Sequence, residues 1–228
     1  MKKITYLLFA ATMLAASCKK DEPTPTPTPE PAAAKVKFTN ASVNTVTLGI
    51  KINDVALADA AAINFLASTG YIKTAYGAGT KISFIYPSTG SVFQETTTTL
   101  NSDTYSAFVG GEVPGNICMV VMNDNLAAPA SGKAKIRLIN LSADNYNLSF
   151  YVGGPKLDSN ITYQEYTPFY EVTAGSLNII VQDPLNVGYQ RTLTGQTITA
   201  GKIYTVLFSG KNGALGDADL KLTLIANN

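Results

Sequence analysis

An internal repeat is the feature that most constrains the fold of this chain. Residues 35–42, KVKFTNAS, return about one hundred residues later as KIRLINLS at 135–142. At the same offset, the alternating apolar residues Leu48, Ile50 and Ile52 return as Leu148, Phe150 and Val152. Alternation with a period of two places every second side chain on one face of a β-strand. The sequence therefore predicts two copies of one strand-rich domain.

Further matches follow in the same order along both copies. Turn residues separate them about every eight to twelve positions, and no stretch has a helical period, which is typical of a β-sandwich. We therefore predict an all-β fold of two tandem antiparallel β-sandwich domains, Ig-like or transthyretin-like, with one continuous barrel as the alternative. The matched core positions are Ile82, Phe84 and Tyr86 with Leu177, Ile179 and Val181; Tyr105, Ala107 and Val109 with Tyr204, Val206 and Phe208; and Met119 and Val121 with Leu222 and Leu224.

The residues before the first copy have the pattern of a secretory signal followed by a tether. Lys2 and Lys3 precede a short apolar run that is too short to span a bilayer, which takes about 20 residues. Residues 23–31 alternate proline with polar residues, which favours an extended polyproline II spacer. The predicted segments are 1–17 signal peptide, 18–33 lipidated cysteine and Pro/Thr-rich tether, 34–126 repeat 1, 127–133 linker and 134–228 repeat 2.

The end of the signal carries a lipidation motif. Ala15, Ala16 and Ser17 directly before Cys18 resemble the lipobox of bacterial lipoproteins. The resemblance implies that Cys18 is acylated and that the membrane is a partner through this lipid; an ordinary signal peptide with an incidental cysteine is the alternative. Residues 19–22, KKDE, are similar to the openings of Bacteroidetes lipoproteins. That similarity implies anchoring in the outer membrane, with the chain facing the exterior.

The repeated opening motif and residues 200–206, AGKIYTV, resemble the DUF4397 family. This is a family of bacterial extracytoplasmic domains of unknown function that often occur in tandem. In repeat 1, Asn101, Ser102 and Asp103 replace the Ala-Gly-Lys of repeat 2, so the first copy is more divergent there. The resemblance implies a class of domain and assigns no catalytic residue.

Composition narrows the classes of function. Seventeen basic residues against sixteen acidic ones argue against a nucleic-acid partner, which needs a concentrated basic face. The sequence contains no histidine, the usual general base and the commonest metal ligand. Asp217 and Asp219 do not supply the roughly six to eight oxygens of a calcium site and are predicted to lie in a solvated turn. We therefore expect no enzyme, no cofactor and no metal site.

An aromatic cluster between the second and third core strands of repeat 2 supplies the candidate binding residues. Aromatic rings on a loop can stack on sugar faces, while neighbouring polar side chains bond hydroxyl groups. The predicted ligand-binding residues are Tyr166, Phe169, Gln164 and Glu165. In the alternative, Tyr163 and Tyr170 fill the core and only Tyr166 or Phe169 is exposed. The matching region of repeat 1, residues 65–76, also holds aromatics, at a different predicted spacing.

Cys118 aligns with Lys221, on the strand face opposite Met119 and Leu222. It is therefore expected to point away from the core of its own repeat, toward the other domain or an edge.

Together these features predict a surface-exposed, non-catalytic binding or adhesion module for a glycan or a protein. A structural or accessory component of an envelope or nutrient-uptake complex is the alternative.

Overall fold

The computed structural model describes residues 32–142, 144 and 146–228. The predicted signal peptide, Cys18 and most of the predicted tether lie outside these residues. Within them, no helix combines the length and apolar character needed to cross a membrane.

The described chain folds almost entirely into strands, with two single-turn 3-10 helices at Ala58–Ala60 and Gly216–Ala218. The strands of repeat 1 are β1 (Ala34–Val43), β2 (Gly49–Ile52), β3 (Val55–Ala56), β4 (Ile72–Thr74), β5 (Gly77–Ile85), β6 (Val92–Leu100), β7 (Thr104–Glu112) and β8 (Cys118–Asn123). Those of repeat 2 are β9 (Lys133–Asn140), β10 (Leu148–Val152), β11 (Lys156–Ile161), β12 (Tyr170–Thr173), β13 (Gly175–Asp183), β14 (Asn186–Ile198), β15 (Ile203–Ser209) and β16 (Lys221–Ala226).

Each repeat contains two four-stranded sheets with the same strand order. The inner sheets are β4-β1-β7-β8 in repeat 1 and β12-β9-β15-β16 in repeat 2. The outer sheets are β3-β2-β5-β6 and β11-β10-β13-β14. The predicted all-β, two-domain sandwich fold is confirmed. One detail differs, because β1 pairs with β7, and β9 with β15, in parallel; the chain crosses both sheets between these strands, which provides the long connection that a parallel pair needs.

Strand registers correct one part of the predicted alignment. Ile82 is equivalent to Ile179, two residues from the predicted partner Leu177, and Phe84 is equivalent to Val181. A slip of two residues keeps every side chain on the same face, so the period-two pattern cannot detect it. The decisive registers are Ile52 opposite Ile82 and Ile50 opposite Phe84 in repeat 1, and Val152 opposite Ile179 and Phe150 opposite Val181 in repeat 2.

The two inner sheets pack against each other and bury a third apolar cluster in addition to the core of each sandwich. The described chain is thus a stack of four sheets, and the strands β7 and β15 are buried on both faces. This intersheet cluster contains Ala41, Phe108, Cys118, Val120 and Met122 from repeat 1 and Ile139, Leu141, Leu207 and Ile225 from repeat 2.

Cys118 lies in the intersheet cluster, while its neighbour Met119 packs against the core of repeat 1. The prediction that Cys118 faces away from the core of its own repeat is confirmed. The thiol is buried, and this burial raises its pKa, opposed by hydrogen bonds with Tyr163 and the Gly110 backbone. We expect thiol reagents to label Cys118 only after unfolding.

Candidate functional site

The turn at residues 162–167, between β11 and β12, holds most of the predicted binding residues. Asn140, at the end of β9, anchors this turn: its N–H donates to the Glu165 carbonyl at 2.9 Å, and its carbonyl accepts from the Gln164 N–H at 2.8 Å. The buried Asn140 side chain also donates to the Ile161 carbonyl. The asparagine of the repeated sequence motif therefore fixes the turn to the inner sheet and has a structural role.

Repeat 1 has the equivalent turn at residues 64–69. The Leu66 N–H donates to the Asn40 carbonyl at 2.7 Å, as that of Gln164 does to Asn140. Leu66 and Gln164 also share a left-handed backbone, with φ of 60° and 72°. Counted from these turns, Phe65 matches Tyr163 and Tyr71 matches Phe169, so the prediction of a changed aromatic spacing is wrong for these two pairs.

A polar pocket of about 360 Å³ lies beside the turn of repeat 2. The predicted residues Gln164, Glu165 and Tyr166 line it together with the end of β11. Tyr166 is 47% exposed, so much of its ring faces solvent. The remaining lining residues are Asp158, Ser159, Asn160, Ile161 and Thr167.

Two carboxylates, those of Asp158 and Glu165, line this pocket. Asp158 accepts hydrogen bonds from the Tyr170 hydroxyl at 2.5 Å and the Ser159 N–H at 2.8 Å. Glu165 accepts from the Thr162 N–H at 2.7 Å. Partial burial, followed by the hydrogen bond to Asp158, raises the pKa of Tyr170 to about 12. Because a carboxylate has about four acceptor positions, both retain capacity for a ligand hydroxyl.

Phe169 does not line this polar pocket and lies at the junction of the two sandwiches. Its half-buried ring lies under the Arg137 guanidinium, with 4.4 Å between the ring centroid and Cζ. Its counterpart Tyr71 lies under the Lys37 ammonium at 4.9 Å. This symmetry favours a packing role for Phe169. Phe169 and Tyr166 also line a second groove of about 300 Å³ with Asn123, Asn125, Lys135, Arg137, Thr167 and Pro168.

A buried polar network at the same junction was missed from the sequence. Arg137 donates to the Asp124 carboxylate, and both residues are 2% exposed. Asp124 also accepts from the hydroxyls of Ser106 at 2.6 Å and Tyr71 at 2.5 Å. Burial lowers the pKa of Arg137, opposed by the charge of Asp124, and raises the pKa of Tyr71. The repeated motif in the sequence shows the basic position that Arg137 occupies. Its carboxylate partner could not be recognised there, because Asp124 comes from the far end of repeat 1.

No group of three or more acidic, cysteine or histidine residues suited to a metal ion occurs in the part of the chain that the structure describes. Asp219 lies 3.5 Å from the Arg191 guanidinium. The structure does not describe the side chain of Asp217.

The sequence profile of the DUF4397 family, a domain of unknown function, matches residues 34–151. The match runs from β1 through repeat 1 and the linker into β10. No curated protein matches the chain. Because the profile covers more than half of the 228 residues, the chain belongs to the DUF4397 family.

Proposed function

We propose that this protein is a lipid-anchored, non-catalytic binding module of the outer membrane that holds a glycan in the polar pocket of repeat 2. The exposed Tyr166 ring beside that pocket carries the proposal. An aromatic face packs on the apolar face of a sugar, and amide and carboxylate groups match its hydroxyls. Gln164, Glu165 and Asp158 supply such groups in the lining of the pocket.

The N-terminal sequence supports the location. The lipobox-like residues before Cys18 favour acylation, and several acyl chains give stable anchoring where one does not. The proline-rich composition of residues 23–31 supports a spacer between the anchor and the fold. The charged residues 19–22 support export to the exterior. In the proposed organisation, two tandem DUF4397 domains follow this tether.

A structural role in an envelope complex is the second candidate. The apolar cluster between the inner sheets favours it, because two sandwiches that share a core form a stiffer spacer than two separate domains. In that case the pocket beside Tyr166 has no ligand, and loss of a partner protein removes this protein from the membrane.

Replacement of Tyr166 tests the binding site. We expect Tyr166→Ala to weaken glycan binding at least tenfold, and Tyr166→Phe to retain it because the ring face remains. Tyr76→Ala is the matched control, since Tyr76 is 48% exposed in repeat 1 and lies outside the pocket. Glycan arrays identify the ligand, and calorimetry with residues 32–228 measures affinity.

Three results would contradict the proposal. Equal binding by Tyr166→Ala and wild type would exclude the pocket. Release of shorter sugars from the bound glycan would show catalysis, with Asp158 and Glu165 as the residues to examine. A Cys18→Ser variant that remains in the membrane fraction would exclude the lipid anchor.

A further inference from the structure

Equivalent positions of the two repeats meet in the intersheet cluster. Because β1 matches β9, β7 matches β15 and β8 matches β16, the pairs Ala41 and Leu141, Phe108 and Leu207, and Met122 and Ile225 are equivalent. All six residues belong to the same buried cluster. Contact between the same patch on both partners is the mark of an isologous, two-fold interface. The two repeats therefore pair approximately as the subunits of a symmetric dimer do.

The polar centre of this interface breaks the symmetry. Asp124 of repeat 1 is equivalent to Asn227 of repeat 2, since each follows the residue opposite Tyr105 or Tyr204. The two meet across the interface, where the Asn227 amide nitrogen lies 3.5 Å from an Asp124 carboxylate oxygen. Asn227 also donates to the Tyr71 hydroxyl and accepts from Thr205.

Charge is unequal as well. The equivalent cations Lys37 and Arg137 are both buried. Arg137 pairs with Asp124, whereas the Lys37 ammonium donates to the Ala226 carbonyl and lies over the Tyr71 ring. Burial lowers the pKa of Lys37, and the charge of Asp124 opposes this shift. The four equivalent positions, Lys37, Arg137, Asp124 and Asn227, thus carry two cations and one carboxylate.

We infer that the inner-sheet face of each repeat is a self-association surface whose partner is the same face of another repeat, and that Asp124 opposite Asn227 directs it to unlike repeats. Two copies of repeat 1 would place two Asp124 carboxylates against each other. Two copies of repeat 2 would bury two Arg137 cations without a carboxylate. In the first pairing the adjacent carboxylates would repel each other, although the two Lys37 ammonium groups balance their charge. In the second pairing the Arg137 cations would be buried without a counter-charge, so both like pairings are opposed and the unlike pair is selected. The partner is thus an unlike repeat, in the same chain or in a second copy.

A cleavable full chain tests the surface. A protease site inserted after the exposed Ala128 separates the repeats after folding. We expect the cleaved halves to remain a one-to-one complex at micromolar concentration by native mass spectrometry, without dimers of like halves. Folded halves that separate, or like pairs as abundant as unlike ones, would overturn the inference; far-UV circular dichroism reports the folding of each half.

Exchange of the carboxylate tests the selection. Asp124→Asn is expected to raise the dissociation constant of the cleaved halves by about 100-fold, because two buried cations lose their counter-charge. Adding Asn227→Asp returns a carboxylate to the same centre and should recover the affinity to within about tenfold of wild type. Asp54→Asn, which changes an exposed carboxylate paired with Lys81, is the control and should have no effect.

An exchanged variant no better than Asp124→Asn alone would contradict the assigned roles. If Asp124→Asn does not fold after cleavage, the same comparison is made in the uncleaved chain by thermal unfolding. There the exchange should restore most of the lost melting temperature, and a failure to do so would equally contradict the inference.

Discussion

The turns at 64–69 and 162–167 share a backbone conformation but differ in the side chains that they expose. Both are held by the asparagine of the repeated motif, and both place one residue at positive φ. In repeat 1 that residue, Leu66, packs against the intersheet cluster, whereas Gln164 of repeat 2 is exposed beside Tyr166. The strained backbone, which costs about 1–2 kcal/mol, is therefore part of the fold and not evidence for a site. Only the side chains of repeat 2 argue for ligand binding.

The two equivalent cations provide the largest expected contrast. Arg137→Met leaves the buried Asp124 carboxylate without its direct partner and should lower the free energy of unfolding by about 3–5 kcal/mol. Lys37→Met removes a buried cation that has no direct carboxylate partner among its described contacts, and should change stability by less than about 1 kcal/mol. Urea unfolding measures both, and equal losses would contradict the asymmetric charge assignment.

Close approach of the inner sheets gives the next contrast. A Cβ at Gly110 would lie 2.8 Å from the Cβ of Leu141, so we expect Gly110→Ala to destabilise the protein by about 1–3 kcal/mol. Gly70→Ala is the matched control, because a Cβ there meets no atom within 4 Å and its φ is not positive. Thermal unfolding measures both variants, and a neutral Gly110→Ala would show that the sheets can separate at little cost.

Substitutions of Phe169 and Tyr166 distinguish a ring that packs in the fold from a ring that is free to bind a ligand. Phe169→Ala removes a half-buried ring from the Arg137 guanidinium and should lower stability by about 1–2 kcal/mol. Tyr166→Ala removes an exposed ring and should stay within about 0.5 kcal/mol of wild type. Chemical denaturation measures both. A reversed order would assign the packing role to Tyr166 and remove it from the proposed site.

Alkaline pH tests the hydrogen bond at the pocket wall, with the smallest expected effect. The pKa of Tyr170 is raised to about 12 in the folded state, above the tyrosine value of about 10. Between these values the folded state keeps a proton that the unfolded state has lost, so stability falls as pH rises from about 10 to 12. Tyr170→Phe should reduce this fall, as followed by melting temperature against pH; an unchanged slope would exclude the contribution.

The sequence was sufficient for the features that depend on local alternation. It predicted the two sandwiches, the equivalence of Tyr105 with Tyr204, and the outward face of Cys118. The two-residue slip at Ile82 was invisible because it preserves the face. For the site, the sequence predicted Gln164, Glu165 and Tyr166, which line one pocket. It could not predict Asp158, because the distance between Asp158 and these residues depends on how β11 meets the turn.

The packing between the repeats can also be seen in the sequence, because some strands carry apolar residues on both faces. Cys118, Val120 and Met122 are apolar on the outward face of β8, and Ile139 and Leu141 are apolar on the outward side of repeat 2's opening segment. A strand that is apolar on both faces has to be covered twice. The pairing of Asp124 with Arg137 had no such signal, because sequence alone does not show which distant carboxylate meets a cation.

The position of β1 has a mechanical consequence. Any pulling force transmitted from the residues before Ala34 enters the chain at the first residue of this strand. There β1 is hydrogen-bonded to β4 on one side, and on the other it runs parallel to β7 from Lys35 to Val43. A pull along the strand axis must shear this whole ladder at once, whereas a force across an edge strand opens its bonds one after another. A pulling force on the N-terminal side therefore acts first on β1, one of the most extensively hydrogen-bonded strands of repeat 1.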